Sequence, residues 1–429
     1  FCSFATEKLL HPAANGVNIA IALHRLSKLV KRENGRWVSW SEELLKLMNA
    51  CTQVLVSERG ELNGQGVGNF MYGLNPYDKR VVSRGLLEAL SDKVAKCPSL
   101  NPQAIGNALY GLQSLDSSIV PRKLLEALSD KVVQCQEAFK PQEIGNALYG
   151  LQSLDSSTVP RKLLEALSDK VAKCPSLNPQ AIGNALYGLQ SLDSSIVPKK
   201  LLEVLADKIV QCPTLDSQAI GNALYGLQSL DSSIVPKKLL EALSDKVVQC
   251  PTLDPQAIGN ALYGLAAQGD QAEELLNQLF AAADKLKEMT QLDLHLLSQG
   301  FALHDRVPGL RLAALFAEAD RLPNPNHLTC EHRTAAALRA KLPDAQILVG
   351  TYHYGFELDL EVKIGDRTIN IEIDGPSHHT AVKQLRDRRR DDCLRRRLGP
   401  SFEVVRIMHQ DGQAAIERTA LAALGVFPN

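Results

Sequence analysis

The sequence holds no apolar run of the roughly 18–20 residues that a membrane-spanning helix needs, so no membrane role is expected. It also carries almost no net charge: 47 Lys and Arg stand against 48 Asp and Glu, a formal −1 at pH 7. That balance excludes a globally basic nucleic-acid binder and leaves room for a local basic patch. Aromatic residues are scarce, at 5%, but the apolar share of 45% is ordinary and the charges are mixed in sign, which excludes wholesale disorder. The nine cysteines include no CxxC pair, and His378-His379 has no second spaced His/Cys set, so the usual zinc spacings are missing. The chain opens on Phe1 rather than Met, so its natural start is expected upstream and the lack of a targeting segment carries little weight. What remains is 429 residues, too many for one ordinary core, which implies several domains or a repeat array.

Self-comparison reveals the array. The phrase Ile-Gly-Asn-Ala-Leu-Tyr-Gly-Leu recurs with its Asn at Asn107, Asn146, Asn184, Asn222 and Asn260, spaced 39, 38, 38 and 38 residues apart. A weaker copy runs from Gly68 to Leu74, a degenerate one from Leu296 to Leu303 with Ser298 in the Asn place, and a fainter one from Ile19 to Leu26. About eight units result, clearest over 69–303, within a repeat region taken as 1–322. Each unit reads as two helices. Ile105, Ala108, Leu109 and Leu112 fall at i, i+3, i+4 and i+7, one helical face. Gly106 and Gly111 cost helix propensity, and their recurrence implies close helix–helix approach. Asp116-Ser117-Ser118 reads as a loop, Pro121 fits the first turn of the next helix, and Leu124, Leu125, Leu128 and Val132 form its apolar face. These features predict an αα-hairpin repeat solenoid, with degenerate units capping it.

Cys97, Cys135, Cys174, Cys212 and Cys250 follow the same period and read as small buried apolar residues. Nothing supports a disulfide ladder, so a reducing intracellular compartment is expected; cytoplasm, an organelle and the inside of a host cell stay undistinguished. The first helix of each unit presents a second stripe, Gln103, Asn107, Tyr110 and Gln113. Asn and Gln can pair with base edges, and Tyr110, Tyr187 and Tyr225 can stack on bases. The same amides can instead bond across neighbouring units and hold the stack together, and such solenoids bind peptides equally well. If the stripe reads bases, its near-identity from unit to unit predicts a repetitive target or weak discrimination.

The period and helix pair resemble the octotricopeptide repeat family, whose units are likewise 38 residues long, over about residues 15–322. The internal consensus is this chain's own. The resemblance implies RNA binding in transcript processing, stability or translation.

Composition shifts at Pro323-Asn324-Pro325-Asn326, which with the following residues reads as a linker over 323–331. A last domain follows over 332–429. Residues 332–341 read as a helix and 347–351 as a strand. In 356–364, Phe356, Leu358, Leu360, Val362 and Ile364 alternate with polar residues, and Ile369, Ile371 and Ile373 do so after Gly365-Asp366. That predicts a hairpin with one apolar and one polar face. A basic helix over 380–398 and a strand over 402–408 complete an α-β-β-β-α-β order, the core order of a restriction-endonuclease-like fold, and a last helix follows over 413–424. Glu372 and Asp374 share a strand face, with Asp359 on the partner strand, so these three carboxylates can hold Mg²⁺ or Mn²⁺ for phosphodiester hydrolysis. His378 can serve as general acid or base. Residues 383–397 carry eight Lys and Arg, among them Lys383, Arg386, Arg389 and Arg390, against three Asp. That helix suits a phosphate backbone or neutralises the acidic hairpin.

The run Glu372-Ile373-Asp374-Gly375-Pro376-Ser377-His378 closely resembles the signature of the RAP domain, which follows helical repeats in organellar and parasite RNA-binding proteins. The match continues through Asp387, Arg390, Leu394 and Val404-Val405-Arg406, covering about 345–410. It is also similar to small restriction-like and very-short-patch-repair-type endonucleases, whose metal carboxylates match Asp359 with Glu372 or Asp374 and whose histidine matches His378. The common restriction motif places Lys two residues after its Glu, where this chain has Asp374. The two resemblances occur together in known proteins. They imply a single-stranded RNA binder whose last domain engages RNA and is a candidate nuclease using Mg²⁺ or Mn²⁺. DNA as ligand, a repeat-guided metal endonuclease, and a scaffold or secreted effector that binds host or partner protein are the alternatives.

Overall fold

The computed structural model describes residues 2–11, 14–32, 42–322, 329–375, 381–409 and 412–425. Contacts divide the chain into two compact units, Phe1–Leu253 with Ala267–Gln278, and Asp254–Ala266 with Leu279–Asn429.

The first unit is a helical repeat array. Its helices are α1 (Cys2–Leu10), α2 (Gly16–Arg32), α3 (Glu42–Val56), α4 (Gly64–Leu74), α5 (Arg84–Lys96), α6 (Pro102–Tyr110), α7 (Arg122–Gln134), α8 (Pro141–Tyr149), α9 (Arg161–Lys173), α10 (Pro179–Tyr187), α11 (Lys199–Gln211), α12 (Ser217–Tyr225) and α13 (Lys237–Gln249). The even-numbered helices pack side by side in one layer and the odd-numbered ones in another. The expected apolar faces are buried: Ile105, Ala108, Leu109 and Leu112 on one helix, Leu124, Leu125, Leu128 and Val132 on the next. Asn101, Asn178 and Asp216 cap the even helices, each side chain accepting from the backbone N–H three residues on at 2.7–2.8 Å. Asn and Asp therefore interchange freely at that junction. Pro121 lies one step earlier than the sequence suggests: it is the extended N-cap of α7, and Arg122 begins the helix.

Gly111 shows why this spacing is fixed. A Cβ built there would lie 1.9 Å from the Met71 carbonyl oxygen of the preceding even helix, so only hydrogen fits. Gly106 faces the other way, towards Glu143 of α8, at 3.0 Å. The even layer is therefore packed backbone to backbone through glycine on both sides. The odd layer carries a feature that the sequence reading missed. Lys93, Lys131, Lys170, Lys208 and Lys246, one per unit, are 6–8% exposed. The Lys131 ammonium donates to the Ala95 carbonyl at 3.3 Å, Lys170 to the Cys135 carbonyl, and Lys246 to the Pro213 carbonyl at 3.3 Å. A cation thus sits on the carbonyl-rich C-terminal end of the preceding odd helix, where the helix dipole favours it.

All nine cysteines are free; Cys97, Cys135, Cys174 and Cys212 are buried where the odd helices end, and Cys250 is half-buried. Among the described residues no helix is long and apolar enough to cross a membrane.

The second unit contains α14 (Pro255–Gly264) and, beyond α15 (Glu273–Ala283), which straddles the division, α16 (Gln291–Leu303) and α17 (Leu310–Asp320). Then come α18 (Thr329–Lys341), β1 (Gln346–His353), β2 (Phe356–Ile364), β3 (Arg367–Asp374), α19 (Ala381–Leu398), β4 (Phe402–Met408) and α20 (Gln413–Ala423). The expected order of elements is observed, although Thr329 to Glu331, assigned above to the linker, already belong to α18. The sheet runs β1-β2-β3-β4, antiparallel except for the β3–β4 pair. Leu360, Val362, Ile369, Ile371 and Ile373 pack with Ala335 and Leu338 of α18 and Ile416 and Ala420 of α20. Phe356 and Leu358 join a second cluster, with Cys393 and Leu394 of α19 and Phe402. The hairpin is thus not the half-exposed one expected from alternation. Glu361, Asn370, Glu372 and Asp374 are all at most 6% exposed, because partners cover the polar face too.

Candidate nucleic-acid interface and carboxylate cluster

In the array, the predicted stripe separates into two parts. Tyr72, Tyr110, Tyr149, Tyr187 and Tyr225 stack in sequence, with centroids 5.6–5.9 Å apart and planes tilted 18–23°. Tyr110 and Tyr187 therefore have a tyrosine on each side, and no base fits between rings so spaced. Tyr225 stacks on Tyr187. The glutamines at the end of the stripe also hold the stack together. Gln113 Nε2 donates to Asn75 Oδ1 at 3.3 Å, and Gln228 Nε2 to Gln190 Oε1 at 3.4 Å. The serine that follows each one donates to a carbonyl of the unit before, as Ser153 does to Gln113 at 2.7 Å.

The other half of the stripe points to no protein partner. Asn107, Asn146, Asn184, Asn222 and Asn260 are half-buried, and Gln103, Gln142, Gln180, Gln218 and Gln256, one turn earlier, are exposed. No side-chain hydrogen bond engages any of these amides among the described residues. Gln103, Asn107, Gln142 and Asn146 line a recess of about 180 Å³ together with Lys140 and Glu143. The stacking role considered for the asparagines is taken by Tyr, Gln113 and Ser instead. Surface cations of the odd helices are largely neutralised: Lys123 meets Asp92 at 2.6 Å, Lys162 meets Asp130 at 2.7 Å, Lys200 meets Asp169 at 2.7 Å, and Arg161 meets Glu165 at 2.9 Å.

In the second unit, Asp359 and Glu372 stand one step beyond the last β2–β3 ladder pair, Leu360↔Ile371. There the Asp359 carboxylate accepts from the Ile373 N–H at 2.8 Å. Burial and then the neighbouring Glu372 raise the Asp359 pKa to about 7. Glu331 of α18 adds to that rise, and its own buried Oε2 lacks a partner. Glu372 is engaged twice, by Asn370 Nδ2 at 2.7 Å and by Arg390 Nη1 at 2.9 Å. Asp374 does not join Asp359. It faces Arg406 of β4, which donates to both its oxygens at 2.9 and 3.0 Å and to both oxygens of Asp391 at 3.2 and 3.0 Å. His378 lies outside the described residues.

The basic helix is similarly committed. Arg390 contacts Glu372 and Asp391, Arg395 contacts Asp392 at 3.3 Å, and Arg396 and Arg397 each contact Asp305 at 3.4 Å. Lys383, Arg386 and Arg389 also have partners, while Arg388 is exposed. Of these pairs only Arg390 with Glu372 joins the helix to the acidic hairpin; the others lie within the helix or reach Asp305. Two of the three carboxylates expected to hold Mg²⁺ or Mn²⁺ are each paired with a guanidinium, Glu372 with Arg390 and Asp374 with Arg406. Among the described residues no three His, Cys, Asp or Glu side chains are placed to share a metal ion.

The raised Asp359 pKa gives a pH prediction. Its folded value of about 7 lies above the ordinary 3.8, so ionising it costs stability as pH rises from the unfolded value through the folded one. Asp359→Asn keeps an oxygen for the Ile373 N–H and removes that cost. The variant should melt at a higher temperature than wild type above about pH 7 and show no gain near pH 4. A gain independent of pH would show that Asp359 is not the titrating group.

No family model matches the chain, and no curated protein matches it either. Fold and site alone define the class: a helical repeat array with a small four-stranded mixed α/β domain at the C-terminal end.

Proposed function

We propose that this chain binds single-stranded RNA through the amide row of its array, as an octotricopeptide-type protein with a RAP-type, restriction-endonuclease-like last domain, acting in transcript processing, stability or translation. The observation that carries the reading is the row itself. Half-buried Asn and exposed Gln amides repeat at the unit period and have no protein partner. Desolvating such groups against a partner that lacks hydrogen bonds is costly, so they suit a ligand with matching donors and acceptors, such as base edges. The last domain engages RNA without metal-dependent cleavage, since arginines already hold Glu372 and Asp374.

Sequencing RNA crosslinked to the intact chain tests the first part. Recovered RNA that disappears when Asn107, Asn184 and Asn222 are replaced by Ala supports it; crosslinks to peptides alone favour the scaffold alternative. One observation does favour that alternative, the neutralised cations of the odd helices, which leave few groups there for phosphate. The two readings also differ in salt response. RNA held mainly by neutral amides should lose little affinity between low and moderate salt, well short of the ~10³-fold or greater loss expected of a protein with many phosphate contacts. For the last domain, labelled RNA should stay intact with Mg²⁺ or Mn²⁺. Cleavage abolished by Glu372→Ala would reinstate the nuclease.

A further inference from the structure

The amide row has a composition that narrows its ligand. The Gln and Asn one helical turn apart are the same in consecutive units: Gln65 with Asn69, Gln103 with Asn107, and their copies through Gln218 with Asn222 in the first compact unit. A sixth pair, Gln256 with Asn260, follows in sequence on α14. The row ends sharply at its start. His24 of α2 packs against Tyr72, centroids 5.3 Å apart, so Val17 and Ile21 take the Gln and Asn places there. Both are exposed, at 45% and 40%, and neither can hydrogen-bond a base. On α16 the Asn place holds Ser298, which is buried.

Identical reading groups cannot prefer different bases at different steps. A carboxamide offers one donor and one acceptor edge, and whichever base edge it satisfies in one unit it satisfies in all. The geometry also sets the strand's form. Rings of neighbouring units lie 5.6–5.9 Å apart, held there by the glycine contacts, whereas stacked nucleotides advance about 3.4 Å. A strand following the row one nucleotide per unit is therefore unstacked, with each base presented singly. We infer that the array reads a homopolymeric run of RNA, five identical nucleotides at one per Gln/Asn pair of the first unit. This rests on the RNA-binding reading above.

The test uses the full chain and end-labelled RNA of about twelve nucleotides, as oligo-U, oligo-A, oligo-C and a mixed sequence. One homopolymer should bind at least about tenfold tighter than the mixed strand and the other homopolymers. With that homopolymer, affinity should climb steeply with length to about five nucleotides and only slowly beyond. Asn146→Ala interrupts the row in its interior and should weaken binding more than Asn69→Ala at its edge. Neither should lower the melting temperature, because no hydrogen bond holds these amides among the described residues. Equal affinity for the homopolymers and the mixed strand, or equal effects of the two variants, overturns the homopolymer inference and leaves RNA binding intact. Failure to bind any RNA overturns both.

Discussion

Gly150→Ala is expected to unfold the central array, although alanine is the better helix former. Gly150 ends α8 in a right-handed helical conformation (φ −61°), so backbone preference favours the substitution. Space forbids it: the new Cβ would lie 2.0 Å from the Leu109 carbonyl oxygen and 2.3 Å from its carbon. Neither is the movable end of a side chain, so α6 and α8 must separate, and the Tyr110–Tyr149 stack and the buried Leu109 and Leu148 move with them. The loss should reach or exceed the ~3 kcal/mol upper range of ordinary overpacking. Gly85→Ala is the control. Gly85 lies on α5 with only the Ser83 hydroxyl as near as 4.0 Å, and its substitution should stabilise by about 0.5–1 kcal/mol. Urea unfolding followed by helical circular dichroism reads both. An unchanged midpoint for Gly150→Ala would show that the even helices have room to spare.

Arg406→Ala should be comparably damaging to the last domain. One guanidinium grips Asp374 and Asp391, whose side chains are 7% and 8% exposed, and lies 3.4 Å from Asp387. Removing it takes the guanidinium away from two buried carboxylates, of which Asp391 keeps Arg390 at 3.1 Å, and breaking a buried pair from one side costs about 3–5 kcal/mol. Arg406→Lys should rescue little, because a single ammonium cannot bridge two carboxylates in the planar, forked way. A domain that melts normally with Ala at this position would mean that water or neighbouring cations reach both aspartates.

The helices were legible because periodicity reports burial: Ile105, Leu109, Leu125 and Val132 fell where the spacing put them. The glycines announced close approach by recurring where helix propensity argues against them. The order of elements in the last domain was equally readable from alternation and breaker residues. Partners were not. Tyr110 and Gln113 sit on the same face as Asn107, and sequence says nothing of the ring that covers one and the amide that binds another. Alternation over β2 and β3 suggested an open polar face, whereas Arg390 and Arg406, from elements 16 or more residues away in the chain, close over it. The lysine column had a visible signal, a Lys recurring at the unit period within each odd helix. A charged residue that recurs so strictly deserved to be read as an interior contact.

The glycine contacts have one more consequence, for how the array changes length. Each unit presents the Gly106-type face to its successor and the Gly111-type face to its predecessor; Gly68, Gly145 and Gly183 meet Ala104, Ala181 and Ala219, whereas Gly106 meets Glu143. The units that meet through alanine can thus neighbour one another, so a recombination between two such copies that removes or duplicates one whole unit leaves no mismatched joint. The array would then grow or shrink by single steps while the terminal units stay unaltered, and its length would change without any change in how its units join.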